Sequence, residues 1–418
     1  MKQHLRNRLI HRSGYAWLAW GLGAALFFAE YFARVSPGVM VPDLMRDFHA
    51  SAFQLGSLSA FFYYPYVFMQ LPVGMLVDRY GPHRLLTLTA GCFSASCLLF
   101  ASTHTLFLAE LARFCMGLSA AFAFVGALKL AKIWFPSKRF GLLAGVTQAL
   151  GMLGAAVGDA PVQLMVKHSG WRETMVLIGG VFLVLTFLIG FLVFESETQL
   201  QKKSEMQGHL RSMLAGLRVV LRNRQTWVNG LFVGFLYAPT AAFGELWGVN
   251  YLHVTYHLSD TASAFAISLI FIGWGFGGPL AGWLSDKMPR RRVMIGSAVC
   301  GILFLGTLLY ARELSASVVF ALLFMYGMTN SGVAVSYAYA GEINGERFAG
   351  TSMAFANMAS VFIGAILQPV IGAIIDWHAG TKIVDMHSIA ASDFRVAVSV
   401  LPVCLVLAVV SGLFLRKD

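Results

Sequence analysis

Long apolar runs separated by short polar segments dominate this chain of 418 residues. A helix needs about 20 apolar residues to cross the roughly 30 Å hydrocarbon core of a bilayer. Twelve runs have this length, at residues 15–38, 52–77, 84–102, 106–133, 139–167, 173–194, 225–251, 260–284, 292–311, 315–342, 347–376 and 394–415. They alternate too weakly for barrel strands. Because lipid cannot satisfy free backbone groups, the pattern predicts an all-α integral membrane protein with twelve transmembrane helices.

The composition agrees with this prediction. Charged residues make up 12% of the chain, about half the share in a soluble domain, roughly 25%. The formal net charge is +11, which in a soluble chain would suggest a nucleic-acid partner. With these spans, however, 22 of the lysines and arginines lie on the side of the N-terminus and six on the other side. This asymmetry follows the positive-inside rule, so we expect no nucleic acid and place both termini in the cytoplasm.

An internal repeat divides the chain. The segment GMLVDRYGPHR, which begins at Gly74, recurs as GWLSDKMPRRR at Gly282, 208 residues further on. Each copy joins two apolar runs, and the longest polar linker lies between the sixth and seventh spans. Duplicated halves are a feature of secondary transporters. We therefore predict a six-helix bundle at 1–194, a cytoplasmic loop at 195–224 and a second six-helix bundle at 225–418.

The first copy of the repeated segment resembles the signature loop between helices 2 and 3 of the major facilitator superfamily. The residues that carry the resemblance are Gly74, Asp78, Arg79, Gly81 and Arg84. Arg113-x-x-x-Gly117 in the fourth span is similar to a second motif of that superfamily. The resemblance covers the whole chain. It implies two pseudo-symmetric six-helix bundles around a central cavity, and transport by alternating access as the bundles rock.

The repeated segment also has a predicted physical role in gating. Gly74 would let two helices approach closely. Asp78 and its counterpart Asp286 would accept from a helix N-terminus or pair with a basic residue of a neighbouring span. A contact made in one access state only would bias the equilibrium between states. The alternative for the arginines is that they only anchor the topology. We expect Arg113 to pair with a carboxylate of its own bundle, and Lys129 to extend towards the cytoplasmic surface.

Charges inside the spans are the main functional candidates, because a charge at the bilayer centre costs about 3 kcal/mol or more. They are Glu30, Arg34, Arg113, Lys129, Asp159 and Glu245. Glu30 and Arg34 share a helix face and can neutralise each other; alternatively, Arg34 binds a substrate anion with its planar fork. Their surroundings resemble helix 1 of organic-phosphate antiporters and sugar-acid symporters, in which an arginine binds the anion. Such phosphate antiporters have a second arginine in helix 7, where this chain has Ala242. This departure favours a monocarboxylate or a zwitterion over a phosphate ester.

Three of these carboxylates are predicted proton carriers. Desolvation disfavours the anionic form of a carboxylate, so Glu30, Asp159 and Glu245 could each take up a proton near neutral pH. For Asp159 the alternative is a salt bridge or a packing contact. Glu245 lies between Gly244 and Gly248, which suggests a broken or flexible helix 7. Transporter sites are built at such breaks, so Glu245 is also a candidate substrate ligand, the alternative being a gate contact.

Uncharged polar residues in spans 2, 5, 10 and 11 complete the predicted binding site. They are Tyr63, Tyr64, Gln148, Asn330, Tyr337, Asn357 and Gln368. Aromatic and amide groups would suit a small polar solute. For each of them, hydrogen bonding between helices is the alternative role.

The sequence therefore favours a proton symporter of the bacterial inner membrane that imports a small organic anion or zwitterion, such as a sugar acid, a monocarboxylate or an amino acid. The alternative is a proton-driven exporter of a drug, siderophore or metabolite. Such antiporters commonly have a Gly-Pro step in helix 5, which Asp159 and Ala160 interrupt here. Because enzyme and nucleotide motifs are absent, we expect no catalysis, cofactor or metal. The expected protein is a monomer whose partners are the solute, the proton and the lipid.

Overall fold

The computed structural model describes residues 14–194, 209–311, 313–379, 386 and 389–416. These residues are almost entirely helical, and no strand occurs within the described ranges. The first half, residues 14–194, contains α1 Tyr15–Val35, α2 Pro37–Phe48, α3 Ala52–Met69, α4 Val73–Tyr80, α5 Pro82–Ser102, α6 Leu106–Trp134, α7 Ser137–Ser169 and α8 Trp171–Leu192.

The second half, residues 209–416, has the same kind of architecture. It contains α9 His209–Arg222, α10 Arg224–Pro239, a π-helix at Thr240–Trp247, α11 Gly248–Tyr256, α12 Asp260–Lys287, α13 Arg290–Tyr310, α14 Ala316–Asn330, α15 Gly332–Ile343, α16 Ala349–His378, α17 Ala391–Val398 and α18 Val400–Leu413.

The prediction of an all-α membrane protein is confirmed. Ten helical segments of the described chain are long and apolar enough to cross a membrane. An eleventh is obtained if α3 and α4, which meet at an angle of 64°, form one span. The predicted seventh span consists of α10, the π-helix and α11, none of which is long enough by itself. The count of twelve therefore stays a prediction.

Corresponding helices of the two halves cross in the same way. A Cβ on Gly117 of α6 would lie 1.8 Å from the carbonyl oxygen of Phe62 in α3. In the second half, a Cβ on Gly327 of α14 would lie 2.0 Å from the carbonyl oxygen of Ile270 in α12. Each glycine thus allows two backbones to touch, as small residues do in membrane helix pairs. The repeat seen in the sequence is therefore also present in the packing.

The two halves contact each other closely where α3 begins and α16 ends, a region that we call the far side. A Cβ on Gly372 would lie 2.2 Å from the carbonyl oxygen of Ala52, and one on Gly56 would lie 2.5 Å from that of Gln368. The carboxylate of Asp376 accepts the backbone N–H groups of the first two residues of α3 at 3.0 and 2.9 Å. These groups have no partner within their own helix, so Asp376 caps α3 from the opposite half.

The opposite end of the molecule, which we call the hinge side, contains the repeated segment. A Cβ added to Gly74 or to Gly282 would meet nothing within 4 Å. The close helix approach predicted at Gly74 is therefore wrong for this structure, because the tight contact between the halves lies at the far side. Gly81 joins α4 to α5 with a φ of +87°, a conformation that glycine adopts without strain. Arg79 and Arg84 are exposed.

The glycine contacts predict a difference between two Gly→Ala variants. In Gly117→Ala the new methyl group would overlap the α3 backbone, and overpacking of this kind costs about 1–3 kcal/mol. We expect a lower thermal unfolding midpoint for the purified protein in detergent. Gly145→Ala in α7 is the matched control, because a Cβ there meets nothing within 4 Å. Equal midpoints for the two variants would contradict the packing described here.

Candidate functional site

A fully buried ion pair on α1 forms the centre of the candidate site. Glu30 and Arg34 are only 0% and 1% exposed. The Nε and Nη2 atoms of Arg34 donate to a single oxygen of Glu30, Oε1, at 2.9 and 2.6 Å. The spacing of four residues places both side chains on one helix face. The neutralisation expected from the sequence is therefore present in this structure.

Aromatic rings surround the guanidinium of Arg34. Its Cζ atom lies 4.2 Å from the ring centroid of Tyr31 and 4.6 Å from that of Tyr66. The ring of Tyr63 is 6.0 Å away. Such rings stabilise a cation through their negative faces, and more strongly where water is excluded. Arg34 is thus held in place by one carboxylate and by rings of α1 and α3.

Glu245 lies on the π-helix of the second half and contacts both halves. The hydroxyl of Tyr237, in α10, donates to Oε1 of Glu245 at 2.8 Å. The hydroxyl of Tyr63, in α3 of the first half, donates to Oε2. Single π-helical turns frequently occur at functional sites, and this one is the helix irregularity that the sequence predicted. Glu245 therefore connects the two halves beside Arg34.

Two further predicted residues lie on α16. Gln368 is buried, and its Nε2 donates to the π-helical carbonyl of Ala241 at 2.9 Å. Its own backbone carbonyl accepts from Trp247 Nε1 at 3.0 Å. Asn357 donates to Oε1 of Gln70, at the bend between α3 and α4, at 2.9 Å. Gln368 thus supports the π-helix, whereas Asn357 makes a second polar contact between the halves.

Tyr337 also takes part in the second polar contact, through Asn357. Three other predicted residues lie outside the site around Arg34. The hydroxyl of Tyr337 donates to Oδ1 of Asn357 at 3.0 Å. Tyr64 is exposed, because it projects from a different face of α3 than the tyrosine before it. Gln148 is half-buried on α7, eleven residues or about 16 Å of helix before Asp159. Asn330 donates to a backbone carbonyl of α10 at 2.8 Å, which is the alternative role considered for it.

Asp159 and Arg113 are buried, and neither forms an ion pair among the described residues. Oδ2 of Asp159 has no hydrogen-bond partner there. The same is true of Nε and Nη2 of Arg113, whose guanidinium lies 4.6 Å from the ring of Phe62. The predicted pairing of Arg113 with a carboxylate of its bundle is therefore wrong for this structure. Of the buried carboxylates of its half, Glu30 is paired with Arg34, and Asp159 forms no ion pair with Arg113.

At the hinge side, Asp78 forms an ion pair with Lys129 of α6. A basic residue of a neighbouring span was one of the two partners predicted for Asp78. Lys129, which was predicted only to extend towards the cytoplasmic surface, therefore also forms an ion pair. The second copy of the segment differs. Asp286 is exposed at the end of α12, and the ion pair on that half joins Arg290 to Glu342 at 2.8 Å.

Three residues of the site were missed by the sequence reasoning: Tyr31, Tyr66 and Tyr237. A helical-face argument could have found two of them, since Tyr31 lies three residues before Arg34 and Tyr66 lies three after Tyr63. The contact of Tyr237 with Glu245 depends on the π-helix. Among the described residues, no group of three or more His, Cys, Asp or Glu side chains could hold a metal ion.

Residues 23–383 match the model of the Major Facilitator Superfamily. Because the match covers most of the 418 residues, the chain belongs to this superfamily of membrane transporters, as its motifs predicted.

Several relatives are named as probable transporters of organic anions. The chain is 25% identical over 396 residues to the probable sulfoacetate transporter SauU of Cupriavidus necator, covering 90% of this chain and 89% of the relative. It is 26% identical over 281 residues to a probable L-galactonate transporter of Escherichia coli, covering 63% and 61%. It is 23% identical over 378 residues to a probable hexose phosphate transport protein of Chlamydia pneumoniae, covering 83% and 82%.

A solved structure shares the fold. The crystal structure of a bacterial homologue of the human lysosomal transporter Spinster, in an inward-facing and occupied conformation, superimposes with a TM-score of 0.78. The match covers 97% of each chain at 14% sequence identity. At this identity the likeness supports the fold and carries no information on the substrate.

The hinge-side geometry predicts unequal effects of two Asp→Asn variants. An exposed ion pair contributes at most about 1 kcal/mol to stability, so Asp78→Asn should insert and unfold like the wild type. If the pair with Lys129 biases the access states, uptake of a labelled organic acid should fall several-fold. The matched control is Asp286→Asn, whose side chain forms no ion pair with any described residue, and we expect a smaller effect. Wild-type uptake by Asp78→Asn would remove the gating role.

Proposed function

We propose that this protein is a secondary active transporter that imports a small organic anion or zwitterion together with a proton, by alternating access. The observation that carries the proposal is the fully buried Arg34, whose planar fork is held by Glu30 beside the contact of the two halves. A guanidinium fork binds a carboxylate through two N–H groups. Such a group buried between helices is a functional site by default.

Competition on Arg34 would couple the solute to the proton. Oε1 of Glu30 takes the Nε and Nη2 groups of Arg34, which form one of the two edges through which a guanidinium binds a carboxylate. A substrate carboxylate that binds through this edge would displace Glu30 and leave it as a buried anion without a counter-charge. Uptake of a proton by Glu30 removes that cost. The carboxylate and the proton would thus enter together.

Contacts between the halves would provide the alternation. In this structure the far side is closed, because Asp376 caps α3 and glycines bring α3 and α16 together. The bond between Tyr63 and Glu245 also joins the halves. Opening of the far side would have to break these contacts, while new ones form at the hinge side. Because the backbones of α3 and α16 touch so closely, we expect the two halves to separate as rigid bodies. This is the rocking motion of two bundles.

The relatives support an anionic substrate. Sulfoacetate, L-galactonate and hexose phosphate, the solutes named for three of them, all bear negative charge at neutral pH. No observation on the site favours export, and the direction of coupling can be measured.

The test is uptake by proteoliposomes of labelled monocarboxylates, sugar acids and amino acids, with and without an inward proton gradient. We expect the gradient to drive accumulation of at least one of them. Arg34→Ala should abolish it, since loss of one partner from a buried ion pair costs about 3–5 kcal/mol. Arg34→Lys keeps the charge and loses the fork, so it should keep only part of the activity.

Two further variants make this test specific. Glu30→Gln should transport without stimulation by the gradient. Arg46→Ala is the matched control, because Arg46 is 70% exposed and pairs only with neighbouring acids. Uptake that survives Arg34→Ala would refute the assignment of the site, and proton movement opposite to the solute would favour an exporter.

A further inference from the structure

Glu245 is a buried carboxylate without a cation of its own. It is 1% exposed, and both of its oxygens accept from the neutral hydroxyl groups of Tyr63 and Tyr237. No lysine, arginine or histidine of the described chain lies within ion-pair distance of it. An ionised carboxylate in an apolar interior is costly unless a positive charge compensates it.

The neighbouring cations do not supply that charge. Arg34 is engaged by Glu30, and Arg113 lies over the ring of Phe62. Among the described residues, the fully buried acidic and basic side chains are Glu30, Asp159, Glu245, Arg34 and Arg113. Neither of the two bases forms an ion pair with Glu245.

Glu245 and Arg34 contact the same side chain. The ring centroid of Tyr63 is 6.0 Å from Cζ of Arg34, and its hydroxyl donates to Glu245. A guanidinium and a carboxylate without an ion-pair partner thus both lie next to one tyrosine. A small molecule that has a negative group at one end and a positive group at the other offers one group to each of them.

We infer that Glu245 binds the ammonium group of a zwitterionic substrate whose carboxylate is bound by Arg34. The substrate class is therefore an amino acid, rather than a sugar acid or another plain carboxylate. This assignment rests on the proposed function. An ammonium group offers three donors, and unlike the tyrosine hydroxyl groups it brings the positive charge that compensates a buried carboxylate.

An anion without an ammonium group would be disfavoured at the same site. Its carboxylate would neutralise Arg34 and leave Glu245 as an unpaired anion nearby. Like charges at close range in a low dielectric repel strongly. A site in which the wrong ligand leaves a buried charge unpaired discriminates between ligands better than an apolar pocket does.

The test compares amino acids with hydroxy acids of the same skeleton, in which only the ammonium is replaced by a hydroxyl. The pairs are serine and glycerate, valine and 2-hydroxyisovalerate, and leucine and 2-hydroxyisocaproate. Binding to the purified full-length protein is measured by calorimetry. We expect at least one amino acid to bind about ten-fold or more tightly than its partner, a difference of about 1.4 kcal/mol.

Glu245→Gln should remove this preference. We expect the amino acid to lose about ten-fold or more in affinity, while the hydroxy acid changes by less than about three-fold or binds more tightly. Glu173→Gln is the matched control, because Glu173 is an exposed acid at the start of α8. The wild-type comparison needs no variant, so the inference can be tested even if Glu245→Gln fails to fold.

Three results would overturn the inference, and the first two can be told apart from failure of the proposed function. If hydroxy acids bind as tightly as their amino-acid partners and need Arg34, the transporter of organic anions stands and Glu245 is no ammonium site. If no amino acid binds, the ammonium site is likewise excluded. Binding of either class that is unchanged in Arg34→Ala would refute both the ammonium site and the proposed function.

Discussion

The cost of a charge inside an apolar protein governs this structure. Arg34 is buried, and one oxygen of Glu30 satisfies two of its N–H groups while the rings of Tyr31 and Tyr66 contact its guanidinium. Removing such a pair from water costs several kcal/mol per ion, which good geometry recovers only in part. In the proposed function, a solute that binds Arg34 competes with these contacts.

The candidate site and the closure of the far side share a side chain. Tyr63 belongs to the first half, contacts Arg34 and donates to Glu245 of the second half. Asp376 and Gly372 lie further along the same interface, where they join α16 to the start of α3. Any change in the charge on Glu245 therefore acts directly on a contact between the halves. A coupling of this kind needs no relay through the protein, because one bond belongs both to the site and to the interface.

Much of the fold followed from the sequence because length and apolarity decide which segments cross a membrane. The pairing of Glu30 with Arg34 was predictable for a similar reason, since a spacing of four residues is a local property of a helix. Contacts between distant segments were not predictable. The sequence named both Tyr63 and Tyr64 as candidate ligands, but the phase of α3 buries Tyr63 and exposes Tyr64. The spacing of residues along the sequence does not show that the space beside Gly74 is empty. Nor does it show that Arg113 has no carboxylate beside it among the described residues.

The charges in the site link the substrate class to the number of protons. When a carboxylate displaces Glu30 from Arg34, Glu30 needs one proton to avoid an unpaired buried charge. A zwitterion would also compensate Glu245 with its ammonium group, so one proton would leave every charge at these three residues paired. A plain monoanion would leave Glu245 unpaired and require a second proton there. Because each proton adds the driving force of the gradient, Glu245 would, under this proposal, set both the solute that fits and the work needed to move it.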